Sequence, residues 1–243
     1  MIPHLELNTL WVYMAGSPLL WLTATLLAYR VALFIYDKSG HSPLANPVAI
    51  SVALLVLVLL LSNTPYSVYF NGAQFVHFLL GPVTVALAIP LYHQLEKLKR
   101  NWFALLAGSL IGGAAGISVA MGLAWLLGAS PLTILSMAPK SVTIPIAMGV
   151  TEKIGGLPTL TAVMVMLTGL FGAGVAHYVF KFLKIEDDAT CGFALGATAH
   201  GVGTARAFQI SHEMGAFSGL AMGLCGILTA VLLPLALKLF GVI

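Results

Sequence analysis

The chain has 243 residues, 59% of them apolar and 8% charged, with a net charge of +3. A soluble domain is about 45–50% apolar and about 25% charged, so 11 Lys+Arg and 8 Asp+Glu cannot coat a water-facing surface. That excludes a cytosolic globular enzyme and a disordered chain and leaves an all-α, polytopic membrane protein, long enough at about 20 residues per span for about eight crossings.

The first basic residue is Arg30, so the start is expected not to be a cleavable signal, and residues 4–14 read as an interfacial stretch. Hydrophobic segments are then predicted over 18–36, 47–61, 69–93, 102–127, 133–150, 160–183, 189–211 and 217–240. The connections are short, which predicts one integral membrane domain over 1–243. Within it, 1–65 supplies N-terminal scaffold helices, and 66–128, 129–185 and 186–243 each supply a broken helix followed by a whole one. The groups Asp37–Lys38, Glu96–Arg100 and Lys181–Lys184 all ask for the cytoplasmic side. Eight simple crossings cannot satisfy all three. Either the fifth segment enters and leaves on one side, the favoured reading, or the charge bias is weak after Phe180.

Three segments are interrupted near their middles, by Leu80-Gly81-Pro82-Val83-Thr84, Ala138-Pro139-Lys140-Ser141-Val142-Thr143 and His200-Gly201-Val202-Gly203-Thr204. Proline removes a backbone donor and glycine loosens the helix. In lipid such breaks survive only where protein or water satisfies the freed groups, so three discontinuous or re-entrant helices around a polar cavity are expected. A shift of 61 lays Thr143 on Thr204 and Glu152 on Glu213, and a shift of 57 lays Pro82 on Pro139 and Gly112 on Gly169. This predicts internal repeats. Repeated broken helices are the best sequence pointer to a transporter's binding site.

Lys140 is the most informative side chain, because lysine at the centre of a span costs about 2.5–3.5 kcal/mol. Beside Ser141, Thr143 and the free amides of a resuming helix it suits an anion such as a carboxylate. The alternative is a lysine that snorkels from a re-entrant segment. Arg206 could hold a carboxylate bidentately or pair with Glu213 as a structural cation. His200 could serve a substrate or carry a proton, or rest on a backbone carbonyl. Glu152 and Glu213 are expected at the headgroups, about 13–14 Å from the breaks. His4, His41, His77, His93, His177 and His212 read as structural or interfacial, and Cys191 and Cys225 as small hydrophobes. No catalytic motif, metal-ligand spacing, cofactor loop or nucleic-acid-binding basic patch is evident, so a non-enzyme without metal or cofactor is expected.

The runs FLLGPVTVALAIPLY at 78–92, PKSVTIPIA at 139–147 and HGVGTARA at 200–207 resemble the LrgB/CidB family of antiholin-like bacterial membrane proteins, over nearly the whole chain. The resemblance implies a multi-pass protein of the bacterial inner membrane. Family members modulate murein hydrolase activity and autolysis, and a plant relative is the plastid glycolate/glycerate translocator. The leading expectation is therefore an elevator-type secondary transporter of small monocarboxylates, as a homo-oligomer and with a coupling proton or cation. Its substrate site would comprise Lys140, Ser141, Thr143, His200, Gly201, Gly203, Thr204 and Arg206, with Thr84 as a third wall. The alternative is a holin/antiholin-like pore or a regulator of autolysis.

Overall fold

The computed structural model describes residues 17–40, 42, 45–86 and 88–242, without the side chains of residues 77, 80, 83 and 84. The interfacial stretch at 4–14, with His4, and also His41 and the His77 side chain, lie outside the described residues. Every regular element among the described residues is a helix. Two compact units form, Met1–Ala86 and Leu87–Ile243.

The first unit contains α1 (Pro18–Lys38), α2 (Pro47–Leu61), α3 (Tyr66–Phe78) and α4 (Leu80–Ala86). Both α1 and α2 begin on proline, where no amide is needed. Asn46 caps α2 by accepting from the amides of Val48 and Ala49. Trp21, 1% exposed, meets Tyr69 of α3 edge-on at 5.8 Å. Gly72 allows that approach, since a Cβ there would run into the Pro18 carbonyl oxygen. Leu26, Leu27, Leu60 and Leu61 face outward, an apolar surface suited to acyl chains. The interruption expected at 80–84 falls earlier, at the Leu79 turn. Pro82 instead sits in the first turn of α4, where its missing donor is harmless.

The second unit contains α5 (Ala88–His93), α6 (Leu95–Leu126), α7 (Pro131–Met137), α8 (Ile144–Ile154), α9 (Pro158–Leu183), α10 (Asp188–Ile210) and α11 (His212–Leu239). Among the described residues, four helices are long and apolar enough to cross a membrane: α1, α6, α9 and α11. The remaining expected spans are not whole helices of that kind. α2 is apolar but only 15 residues long, the third segment is divided, and the fifth and seventh turn back.

α10 doubles over on itself. A straight helix of 23 residues would part its ends by about 34 Å. Yet Ser211 Oγ, just past its last residue, donates to Asp188 Oδ2 at its first. Cys191 and Ala207 likewise share a buried cluster with Leu195 and Met214. The reversal is at His200, with φ 41° and ψ −129°. Gly203 lets the two arms close, because a Cβ there would strike the Leu195 carbonyl and Ala199. The same hairpin presses on α11: added Cβ atoms at Gly192 and Gly196 would enter the carbonyls of Met214 and Ser218. Small residues four apart permit such close packing in membranes.

The fifth segment is a second hairpin, made of α7, a break at 138–143 and α8. The Leu157 amide, at the foot of α9, donates to Ser136 Oγ at 2.7 Å, and Ala138 packs with Val150 and Ile154. Farther along, Val142 packs on Val165. The chain therefore advances beside α9 from Leu157 to Val165, about 12 Å of helix, and then returns to where it started. Three fully buried hydroxyls hold its base. Thr161 Oγ1 donates to the Ser136 carbonyl at 2.8 Å, and the Thr151 and Thr161 hydroxyls pair at 2.9 Å.

The hairpins open at opposite ends of this unit. Lys97 pairs with Glu213, placing the basic foot of α6 beside the α10–α11 junction. Phe180 and Ile185, at the end of α9, pack there too, against the Cys191–Met214 cluster. The charged groups at 96–100 and 181–184 thus share one end, as their common sidedness required.

Candidate functional site

The tips of the two hairpins meet against α9 and α11. Val142 and Ala147 of the first are clustered with Val165 and Cys225, and Ala197 of the second packs on that cluster. His200 Nε2 lies 3.0 Å from the Val165 carbonyl oxygen. Its ring rests on Gly169, where a Cβ would sit 2.8 Å from the ring carbon. Of the readings open for His200, the geometry forms the carbonyl-bound one. Thr204 Oγ1 donates to the His200 carbonyl at 2.9 Å and is 3.0 Å from Ser218 Oγ, so this hydroxyl holds the tip to α11. Gly201 is a roomy position at this tip: among the described residues, only the Met222 sulfur comes within 4 Å of a Cβ built there, at 3.9 Å.

Lys140 is half-buried. Its Nζ donates to Ser141 Oγ at 3.3 Å, and it lies within electrostatic reach of His200. Thr143 takes the N-cap backbone conformation of α8 (φ −64°, ψ 148°), but its side chain makes no capping bond. The first-turn amides of α8, one of them removed by Pro145, therefore find no acceptor in the Thr143 side chain, and no other side-chain acceptor meets them among the described residues. Lys140, Ser141, Thr143 and these amides gather at one tip, with His200 and Thr204 at the other.

Arg206 stands apart from this gathering. Because the chain reverses at His200, Arg206 lies only five residues before Ser211. It lines a groove of about 280 Å³ with Lys181, Glu186 and Asp188, whose walls include neither Lys140 nor His200. Its guanidinium donates to Gln209 Oε1 at 3.1 Å. Among the described residues, the ion pair at Glu213 is made by Lys97 of α6. Glu152 is exposed. The side chain of Thr84 lies outside the described residues.

Sequence reasoning missed Ser218 and the Ser136–Thr151–Thr161 cluster. An isolated hydroxyl in an apolar helix needs a partner when buried, which was the available signal. Its partner lies far away in the chain and could not be read.

Residues 25–239 match the family described as LrgB-like. Uncharacterized protein YwbG of Bacillus subtilis is 38% identical over 216 residues, 88% of this chain and 95% of the relative. An uncharacterized protein of Haemophilus influenzae is 34% identical over 215 residues, 88% and 93% respectively. The antiholin-like protein LrgB of Bacillus cereus is 27% identical over 225 residues, 93% and 98%. No solved structure matches. Together with four helices of membrane-crossing length and hydropathy, these similarities make this a membrane protein, and the chain belongs to the LrgB-like family.

Proposed function

We propose that this protein has an antiholin-like role in the bacterial inner membrane, crossing it several times and restraining autolysis. The observation that carries this reading is the end-to-end similarity to proteins named antiholin-like, 27% over 93% of the chain. The named relatives support it better than they support glycolate transport. Deleting the gene from its host should speed lysis and raise murein hydrolase activity on a zymogram, and restoring it should reverse both. Unchanged lysis and hydrolase activity would overturn the proposal.

One observation favours a second reading, an alternating-access carrier for a small monocarboxylate. Two hairpins that open at opposite ends meet tip to tip, and interrupted helices meeting at mid-membrane are how many carriers build substrate sites. The order hairpin, whole helix, hairpin, whole helix over 131–239 supports an inverted repeat. Lys140, Ser141 and the α8 amides would hold the carboxylate, with Gly201 leaving room for its carbon chain. Thr204 and Gly203 would keep the tip in place. The alternative for Lys140, snorkelling to the surface, fits less well beside a buried Val142. Labelled glycolate should enter proteoliposomes saturably, and Lys140→Ala should abolish uptake in a folded protein. Unsaturable leakage of unrelated solutes would refute the carrier.

A further inference from the structure

Arg30 lies close to the middle of α1, a helix of 21 residues. Pro18 is about 18 Å away along the axis in one direction and Lys38 about 12 Å in the other. The whole helix is about 32 Å long, matched to a hydrocarbon core of about 30 Å, so the guanidinium belongs to the apolar interior. A cation there is costly unless it is paired. Arg30 is nevertheless exposed, on a face with the outward Leu26, Leu27 and Phe34, and no hydrogen bond or ion pair holds it among the described residues. Snorkelling does not relieve it. Cα–Cβ bonds in a helix tilt toward the N-terminus, so the side chain sets out toward Pro18, the farther surface. On the nearer side a like charge is already on the path, the Lys38 ammonium 4.8 Å from the Phe34 ring centre.

The chain itself does not supply the counter-charge at that depth. Of its eight acids, Glu6 lies outside the described residues. Asp37 ends α1 beside Lys38, Glu96 and Glu213 open α6 and α11, Glu152 is in the last turn of α8, and Glu186, Asp187 and Asp188 stand where α9 passes to α10. All of these are at helix ends or in a connection, so a second copy brings no described carboxylate to mid-span either. A second polar group shares the face. Thr23 is two turns from Arg30 on the same side of the helix, exposed and without a hydrogen bond among the described residues. Thr25, by contrast, turns inward, donating to the Trp21 carbonyl at 2.8 Å and lying 3.2 Å from Tyr69 Oη.

We propose that this face of α1 docks a transmembrane helix of a different membrane protein, one that carries a carboxylate at mid-span. Arg30 is its ion-pair partner, with a planar fork that takes a carboxylate bidentately, and Leu26, Leu27 and Phe34 form the ridge it packs on. The inference needs only that α1 crosses the membrane, and it goes beyond both functional readings.

The test is energy transfer in phosphatidylcholine vesicles between the labelled full-length protein and a synthetic leucine–alanine transmembrane peptide with Glu, Gln or Leu at its centre. The Glu peptide should associate about tenfold more tightly than the Gln peptide, near the strong end for an interhelical polar bond. Arg30→Leu should erase that preference and Arg30→Lys should keep most of it. Arg30 bonds to nothing else among the described residues, so Arg30→Leu should unfold at the same temperature as the unaltered protein, which separates lost charge from lost fold. Equal association of the three peptides, a preference that survives Arg30→Leu, or Arg30-dependent self-association without peptide would overturn the proposal. Loss of the preference in vesicles containing phosphatidylglycerol would overturn it by assigning Arg30 to lipid phosphate. A preference that emerges only in Glu6→Gln would overturn it by assigning Arg30 to the chain's own N-terminal segment.

Discussion

The folding back of α10 can be tested directly by replacing Asp188 and Ser211 with cysteine, in a background where Cys191 and Cys225 are alanine. These side chains touch, with Ser211 Oγ 2.5 Å from Asp188 Oδ2, whereas the ends of a straight helix would be about 34 Å apart. A disulfide needs Cα atoms within about 7 Å, so only the folded-back form can make it. The closed loop of 24 residues, 188 to 211, should stabilise the fold by about 3.5 kcal/mol in the chain-entropy account. Against this stands the lost Ser211 cap, which accepts from the Met214 amide at 3.1 Å and is worth about 1 kcal/mol. Loss of the Asp188 charge at a helix N-terminus removes about another 0.5 kcal/mol. A net gain of about 2 kcal/mol is expected. Mild oxidation followed by mass spectrometry of the proteolysed protein reads the bond, and unfolding in mixed micelles with and without reductant reads the stability. A folded protein that forms no bond would refute the hairpin, as would spin labels at the two sites more than about 30 Å apart.

Gly196→Ala should destabilise by about 1–3 kcal/mol, because the new methyl meets the rigid Ser218 carbonyl rather than a side chain that can move. Gly113→Ala, with nothing within 4 Å, should be neutral or gain up to about 1 kcal/mol of helix propensity, and the same unfolding assay compares the two. Thr161→Val keeps the side-chain shape but removes the bonds to the Ser136 carbonyl and to Thr151. Interhelical hydrogen bonds in membranes average about 0.6 kcal/mol and reach about 1.7, so a loss of about 1–3 kcal/mol is expected, with Thr161→Ser close to wild type. The Asp187 carboxyl, outside the membrane-crossing helices, is held below the usual carboxylate range by the hydroxyl and then the amide of Thr190. A lowered pKa contributes stability that is full above about pH 4 and is lost as pH falls through the lowered value. Asp187→Asn should keep the cap and lose that part of the acid sensitivity, read by comparing unfolding at neutral and acid pH.

Much of the local structure was legible. Prolines at Pro18, Pro47 and Pro158 mark helix starts, and the predicted 47–61 segment is α2 to the residue. The runs at 138–143 and 200–204 were legible as departures from the helix, because proline and glycine act within a turn of where they stand. The direction the chain takes afterwards was not legible. One residue's dihedrals at His200 convert a crossing into a reversal, and nothing in a run of small residues specifies that angle. Arg206 shows the consequence. Counted along a continuing helix it lies beyond the break on the far side of His200, but counted back down a hairpin it lines the groove with Lys181, Glu186 and Asp188.

Composition by itself settled the medium, since so few charges cannot cover a water-facing surface, and local residue chemistry settled where helices start and where they break. Tertiary packing decided which break faces which. The two tips find each other through the Val165 carbonyl, 35 positions from His200, and through the Val142–Cys225 cluster, contacts between residues far apart in the chain. Such contacts depend on how whole helices lie side by side, and a one-dimensional pattern carries no record of that.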